Sequence, residues 1–506
     1  MKKKVIIGLI AIVVLISCII IININKNNKF EYSVEQIKEK NYFLYMKDNK
    51  YGVIDRNGEV IIDPIHDIIE IPNPSKDLFI CKNNYNAEKD EYNVQVFDKN
   101  KNPILYQYYD IGAIELNGVQ NNGFYEKSVL KYKSNGLYGL VNISGEKITD
   151  AEYESIEGFQ YNEGLFLVKK SGKFGIINMN GATVIKEKYD EILSDGYYQD
   201  NYKKSGYIVG TRTNNGMRYG YIDNNRKVLL KNEYNDIYRI NDKSDNEVYI
   251  VAYKNGKAGM YKNKKIIINH DYEDIIYNGE NDLLVLQKGS KQGISKFDGS
   301  IIIPIEYDNI LFAGNYINAQ KGEKIEIFDT NGKNESDSGY ISRQNVADNK
   351  YQIVSTSNGQ YKIIVTGTGE IVENEYSYIQ YLFDDYFIVQ KGGYSGIIDK
   401  KGNKIIDFKY IAIQNVYEFP VVELVNDKGN ITLLNKELKE IITTKTENVK
   451  IYENYIKVVK DKKINYIDKN GKLLDEPVYS LLDMPDMIKN YEKVDLGYGE
   501  PYYKDK

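Results

Sequence analysis

Tryptophan is absent from this 506-residue chain, and histidine and cysteine occur only twice each. His66, His270, Cys18 and Cys81 lie far apart, so they supply neither a Cys/His zinc site nor a disulfide framework. Basic surplus is also missing. Lys and Arg total 67 against 72 for Asp and Glu, a formal net charge of −5, which leaves no electrostatic footprint for nucleic acid. No G-x-S-x-G, P-loop or H-E-x-x-H motif occurs. An ordinary enzyme is therefore disfavoured, and no cofactor is expected. Tyrosine, by contrast, is abundant, with 48 copies. With 42% apolar and 27% charged residues, the chain matches globular composition and can bury a core.

Long apolar runs are confined to one place. Lys2, Lys3 and Lys4 precede a segment from Val5 to Ile22 that is apolar apart from Ser17. At 1.5 Å per residue it spans roughly 27 Å, the short end for crossing a bilayer. Leading lysines and the polar stretch after it suit a signal anchor with its short tail inside. Leu15-Ile16-Ser17-Cys18 also resembles a bacterial lipobox, in which Cys18 would be lipidated. Ile19 to Ile22 continue the apolar run where lipoproteins turn polar, so the retained anchor is favoured. Both readings place the remaining chain outside the cytoplasmic membrane.

Self-similarity dominates the rest. Units such as Tyr45–Ile69, Phe166–Ile192, Val285–Ile310 and Ile388–Ile413 share one grammar. It runs from an apolar strand through a polar turn to an aromatic-Gly-apolar-apolar strand. A D/N-x-x-G turn and a β-branched strand ending in Tyr-Asp/Glu-x-Ile complete it. The marker glycine falls at Gly52, Gly139, Gly175, Gly220, Gly259, Gly293 and Gly396, and worn copies place Glu326, Lys362, Ile431 and Asn465 there. Turns such as Asp55-Arg56-Asn57-Gly58 and Asp399-Lys400-Lys401-Gly402 read as hairpins, with the acid capping the turn and glycine at positive φ. Short Ile/Val-rich flanks read as strands. Each unit is expected to be a three-stranded meander of about 35 residues that must stack on its neighbours.

Lys50-Tyr51-Gly52-Val53-Ile54-Asp55 and Arg218-Tyr219-Gly220-Tyr221-Ile222-Asp223, followed by Leu137-Tyr138-Gly139 and Lys173-Phe174-Gly175, carry a resemblance to the WG-repeat (KWG-repeat) family. The resemblance covers roughly residues 41–477, with every repeat Trp replaced by Tyr, Phe or something smaller. It implies exported or surface-associated interaction proteins and no known chemistry.

Individual residues weigh mostly toward structure. The aromatic of the Tyr-Gly doublet (Tyr51, Tyr138, Phe174, Tyr219) is expected to pack over the adjacent strand, worth roughly 1.5–3 kcal/mol when buried. A second series, Tyr153, Tyr189, Tyr234, Tyr272, Tyr307 and Tyr410, is expected to pack between repeats, with His66 substituting in its slot. Tyrosines outside the register are the contact candidates: Tyr106, Tyr108, Tyr109, Tyr197, Tyr198, Tyr376, Tyr378 and Tyr381. Cys81 reads as a buried small hydrophobe. The carboxylates Asp384 and Asp385, and Glu88, Asp90 and Glu91, have surface spacing. The D-x-N-G turns lack the further ligands of a calcium cage.

The expected fold is all-β, a tandem array of about twelve meanders, curved or superhelical, with one or two propeller-like rings as the alternative. Expected boundaries are an anchor or lipoprotein signal at 1–24, a linker at 25–40 and repeats at 41–333. An irregular loop follows at 334–349, repeats at 350–476, and a C-terminal cap and tail at 477–506. The expected function is a membrane-tethered, extracytoplasmic, non-catalytic scaffold for a protein or an envelope polymer. A glycan-acting enzyme with its site in an irregular repeat is the alternative.

Overall fold

A computed structural model describes residues 34, 37–116, 125–159, 164–195, 206–240, 247–452, 454–475, 481, 484–485, 487–495 and 500–505. The run Val5–Ile22, including Cys18, lies outside them. Among the described residues no helix is long and apolar enough to cross a membrane. They form eleven sheets, antiparallel except for one parallel pairing, and two 3₁₀ turns, Ser336–Ser338 and Thr446–Asn448.

Strand number departs from expectation, because most sheets have four strands rather than three. The seventh repeat is representative: Asp274–Asn278, Leu283–Lys288, Lys291–Ser295 and Ile301–Tyr307 pair in chain order. The Tyr-Asp-x-Ile motif does not close the last strand. Its acid is the point where the chain crosses into the next sheet. Asp308 already donates its backbone N–H to Gln320 O at 2.7 Å, and Asn309–Ala313 opens the eighth repeat. Asn235 and Ser377 make the same crossing without an acid, but at one junction both the acid and the crossing are missing. Tyr410 is followed by Ile411, and Lys404–Asn415 runs unbroken through both roles. Two meanders thereby fuse into one seven-stranded sheet, and the eleven sheets hold twelve repeats.

The hairpin turns follow the sequence reading. Asp55 Oδ1 accepts the backbone N–H of Asn57 at 2.9 Å and of Glu59 at 2.8 Å, while Gly58 adopts φ 75°. The marker glycine has a different cause. A Cβ on Gly293 would lie 2.7 Å from Ile303 O and 2.6 Å from the Ile305 side chain, because the fourth strand bulges against the third there. Similar backbone approaches meet Gly52, Gly139, Gly175, Gly220 and Gly396, whereas Gly259 faces the His270 ring. The same bulge makes the two aromatic series cross-strand partners: Tyr51 faces His66, Phe174 faces Tyr189 and Tyr219 faces Tyr234.

The chain divides into two compact units, Met1–Gly256 with Tyr261–Lys265 and Ser480–Lys506, and Lys257–Met260 with Ile266–Tyr479. In each, the core lies between consecutive sheets. In the first unit Tyr42, Leu44 and Val53 meet Ile69, Ile71 and Phe79, and Val129 and Leu140 meet Phe166 and Val168. In the second, Leu283, Val285 and Ile294 meet Ile317, Ala319 and Phe328. A strand covered on both faces loses polar alternation, so Tyr42 to Tyr45 and Leu283 to Leu286 are buried without a break.

The C-terminal segment corrects a second expectation. Instead of capping the last repeat through Leu481, Met484 and Met487, it extends the first repeat's sheet. Tyr502–Asp505 pairs in parallel with Tyr42–Lys47, and Tyr491–Val494 and Met487–Ile488 follow outward. Among the described residues no sheet precedes the first repeat; Phe43 and Tyr45 are covered by Ile488 and Tyr503. Residues 334–349 are also not a loop throughout. Tyr340–Val346 pairs with Tyr351–Thr356. The strand reads as polar because neither face is fully buried, and Arg343 lies over the Tyr316 ring at 4.7 Å.

The crossing acid also staples sheets. Asp308 accepts from Lys291 Nζ at 2.6 Å within its own repeat and from the Gly322 N–H at 2.8 Å in the next. Asp190 does the same with Lys173 at 2.7 Å and the Arg212 N–H at 2.8 Å. Asp67 joins Lys50 to the Asn84 N–H, and Glu273 joins Lys257 to the Gly289 N–H. The repeat's leading lysine and trailing acid are thus two ends of one contact.

Two predictions follow from these contacts. Gly293→Ala should lower unfolding free energy by about 1–3 kcal/mol, read by denaturant titration. An unchanged midpoint would refute the close-approach account. Lys50 and Lys257 lead, and the next sheet's amide follows, in holding Asp67 and Glu273 below their ordinary 3.8 and 4.5. For Asp190 and Asp308 the amide leads and lysine follows. Lowered carboxylates stabilise the fold above those ordinary values, and the contribution vanishes as pH falls through the folded ones. A variant with all four acids changed to Asn or Gln should therefore melt below the parent at pH 7. The gap should close toward pH 2, and a gap independent of pH would contradict the staple.

Candidate functional site

Most residues singled out by sequence are occupied in holding repeats together. Tyr51, Tyr138, Phe174 and Tyr219 are half-buried beside their marker glycines, and Tyr153, Tyr189, Tyr234 and Tyr307 are buried. His66 is buried opposite Tyr51, and burial lowers its imidazole pKa against an opposing contact with Asn83. Burial pushes the Cys81 thiol up to about 12, the behaviour of an inert core cysteine.

The out-of-register tyrosines do not gather into one site. Tyr108 packs on Tyr132 and donates to Gly145 O at 2.9 Å, while Tyr109 donates to Glu91 at 2.9 Å. Tyr376 is buried opposite Tyr361, and Tyr381 packs on Phe387. Tyr106 is exposed, and Tyr197 and Tyr198 lie outside the described residues. The carboxylates are engaged as well. Lys350 and Lys400, then the Tyr351 hydroxyl, hold Asp385 far below its usual range, while Lys133 lowers Glu91. Among the described residues no group of three or more His, Cys, Asp or Glu is placed to hold a metal.

Two features escaped the sequence reading inside the first unit. Asp195 Oδ2 accepts from Tyr221 Oη at 2.6 Å, Gly206 N at 2.7 Å and Arg239 Nη1 at 3.0 Å, all buried. Its signal was Tyr221, which stands where other repeats carry Val53, Leu140 or Ile176. Burial of this kind demands complete pairing and fits a structural role. Glu500 is pushed up to about 8 by burial, with Lys40 opposing and Glu70 adding. Its neighbours 496–499 lie outside the described residues.

A groove of about 740 Å³ opens in the second unit, where the tenth to twelfth repeats adjoin. Its wall is the segment from Val416 to Val421, between strands Lys404–Asn415 and Val422–Asn426. Val416 and Phe419 turn inward, while Tyr417 stands 85% exposed at the rim. Glu418 is held at φ 62°, uncommon for a non-glycine residue. Lys469, on the D-x-N-G turn of the twelfth repeat, secures it with an ion pair at 2.7 Å and lies over the Phe419 ring at 4.5 Å. Pro420 abuts that same turn at Gly471. Leu382 and Phe383 form part of the floor, and Lys436 and Asn470 line the mouth. Tyr417 Oη, Lys436 Nζ and the Asn470 carboxamide make no hydrogen bond or ion pair within the described residues. Convergent unspent polar groups around an apolar floor are the makings of a ligand site. The sequence signal was a break in grammar, Pro420 together with the missing crossing acid.

Comparison with known proteins agrees on the repeat. The family model described as WG containing repeat matches residues 51–72, 138–174 and 294–324, so the chain carries repeats of this type. No curated protein matches. Among solved structures, a eukaryotic initiation factor is 14% identical at a TM-score of 0.24, covering 66% of this chain and 96% of its own. BamB from Moraxella catarrhalis is 11% identical at 0.23, covering 72% and 95%. Hsv2p from Kluyveromyces lactis is 12% identical at 0.22, covering 39% and 74%. Superpositions this loose carry no argument about function.

The groove wall itself yields a prediction. Lys469→Ala removes an exposed ion pair and a cation over a ring, each worth up to about 1 kcal/mol. Amide exchange at Val416 and Phe419, which close the loop's own hydrogen bonds, should accelerate about fivefold. Unchanged exchange would show that Lys469 does not hold the loop.

Proposed function

We propose that the chain is a membrane-tethered, extracytoplasmic repeat scaffold that acts by binding and not by catalysis. The observation that carries the reading is the groove of the tenth to twelfth repeats, where Tyr417, Lys436 and Asn470 are unspent. Many of the other tyrosines and carboxylates are engaged in linking one repeat to the next, as Tyr307 with Glu326 and Tyr351 with Asp385 show. The carboxylates that a glycan-acting enzyme would draw on, Asp385, Asp90 and Glu91, are held by Lys350, Tyr85 and Lys133. The tether rests on Lys2 to Lys4 ahead of Val5–Ile22, read as a retained anchor, with lipidation at Cys18 as the other route to the same surface.

Protease added to intact cells should degrade the repeats, and Cys18→Ala should leave the protein in the membrane fraction. Protection of the repeats would place them inside and overturn the export reading. Release by Cys18→Ala would replace the spanning anchor with a lipid.

A further inference from the structure

We propose that the groove of the tenth to twelfth repeats binds an acidic oligosaccharide, with a pyranose ring stacked on Tyr417 and a sugar carboxylate on Lys436. The inference rests on the binding-scaffold reading and names the ligand class. Its volume, about 740 Å³, falls within the range of small-ligand sites. Tyr417 offers its whole face to solvent. An aromatic face is electronegative, so it attracts the weakly positive C–H face of a pyranose, which is flat and apolar on one side.

The charges select an acidic sugar. Glu418 and Lys469 neutralise each other across the groove wall, which leaves Lys436 as the lining cation without a counter-ion within the described residues. Asn470 adds a carboxamide that both donates and accepts, as a sugar hydroxyl requires. The wall backbone is held before the ligand arrives: the Lys469 ion pair to Glu418 and the packing of Pro420 against Gly471 hold the segment that carries Tyr417, which lowers the ordering cost of binding.

A peptide fits less well. Peptides gain main-chain hydrogen bonds by adding to an open strand edge. Here Lys404–Asn415 and Val422–Asn426 are interior strands of the seven-stranded sheet, paired on both sides. Lys463–Asp468 is likewise paired on both sides. The groove therefore offers side chains rather than a backbone edge, as a glycan needs.

The test titrates the full-length protein, in detergent, with tri-galacturonate and with neutral cellotriose by calorimetry. Parent protein should bind the acidic trisaccharide and prefer it to the neutral one. Tyr417→Ala should weaken binding about tenfold, and Lys436→Gln should abolish the acidic preference while retaining the neutral affinity. Both variants should melt with the parent, since both side chains are exposed. Absence of acidic-sugar binding, equal affinity for both sugars, or binding indifferent to Tyr417→Ala would each overturn the proposal. A panel of acidic peptides separates the two readings. Peptide binding lost in Tyr417→Ala would sink the sugar assignment and leave the scaffold standing.

Discussion

Everything in this chain depends on the burial of both faces of sheets that are too small to fold alone. Three or four strands of five or six residues cannot enclose a core, and a solitary sheet would leave its apolar faces in water. At roughly 25 cal/mol per Å² of apolar surface, the contact with sequence neighbours is what stabilises each repeat. Phe43 and Tyr45 illustrate the constraint at the first of the described repeats. The cover comes from Ile488 and Tyr503, more than 440 residues further along. The close approach at the marker glycine and the acid staple are geometric consequences of that stacking. The exposed staple pairs add little energy individually, but they set where the chain leaves one sheet for the next.

How much of this was legible depends on range. The hairpin turns could be read because Asp55 Oδ1 accepts the Glu59 N–H four residues on, and their chemistry is local. The repeat period could be read because identical surroundings select identical residues. Strand membership could not, because Asn309 looks like the end of one motif while its hydrogen bonds belong to the next sheet. The pairing of Lys291 with Asp308 was hidden for the same reason. Both residues stand in the repeating grammar, but nothing in a linear pattern says that its two ends meet. The strand Tyr340–Val346 was misread as a loop because a half-exposed strand needs no apolar alternation.

The groove lies where two rules of the grammar fail together. Ile411 replaces the crossing acid and fuses two meanders, and the wall segment that follows contains Pro420 and a strained Glu418. A purely structural array would gain from the standard sequence at these places. The fused sheet has a further effect. It makes the flanking strands interior, so the site presents side chains and no free edge.

The tyrosines separate by the fate of the hydroxyl. A tyrosine can both fill a space between sheets and end in a hydrogen bond to the next one. Tyr307 reaches Glu326 at 2.7 Å, Tyr351 reaches Asp385 at 2.5 Å, and Tyr234 meets Tyr261 at 3.0 Å. Each hydroxyl crosses from one repeat to its neighbour and donates there. Glu326 even occupies a position where other repeats keep the marker glycine, so the worn copy supplies the acceptor. Against this background an exposed ring counts for little unless its hydroxyl is also unspent. Tyr109 and Tyr85 are exposed but bond Glu91 and Asp90. Tyr106 and Tyr417 both meet these conditions, but Tyr417 also lines the groove, which is why the functional reading rests on it.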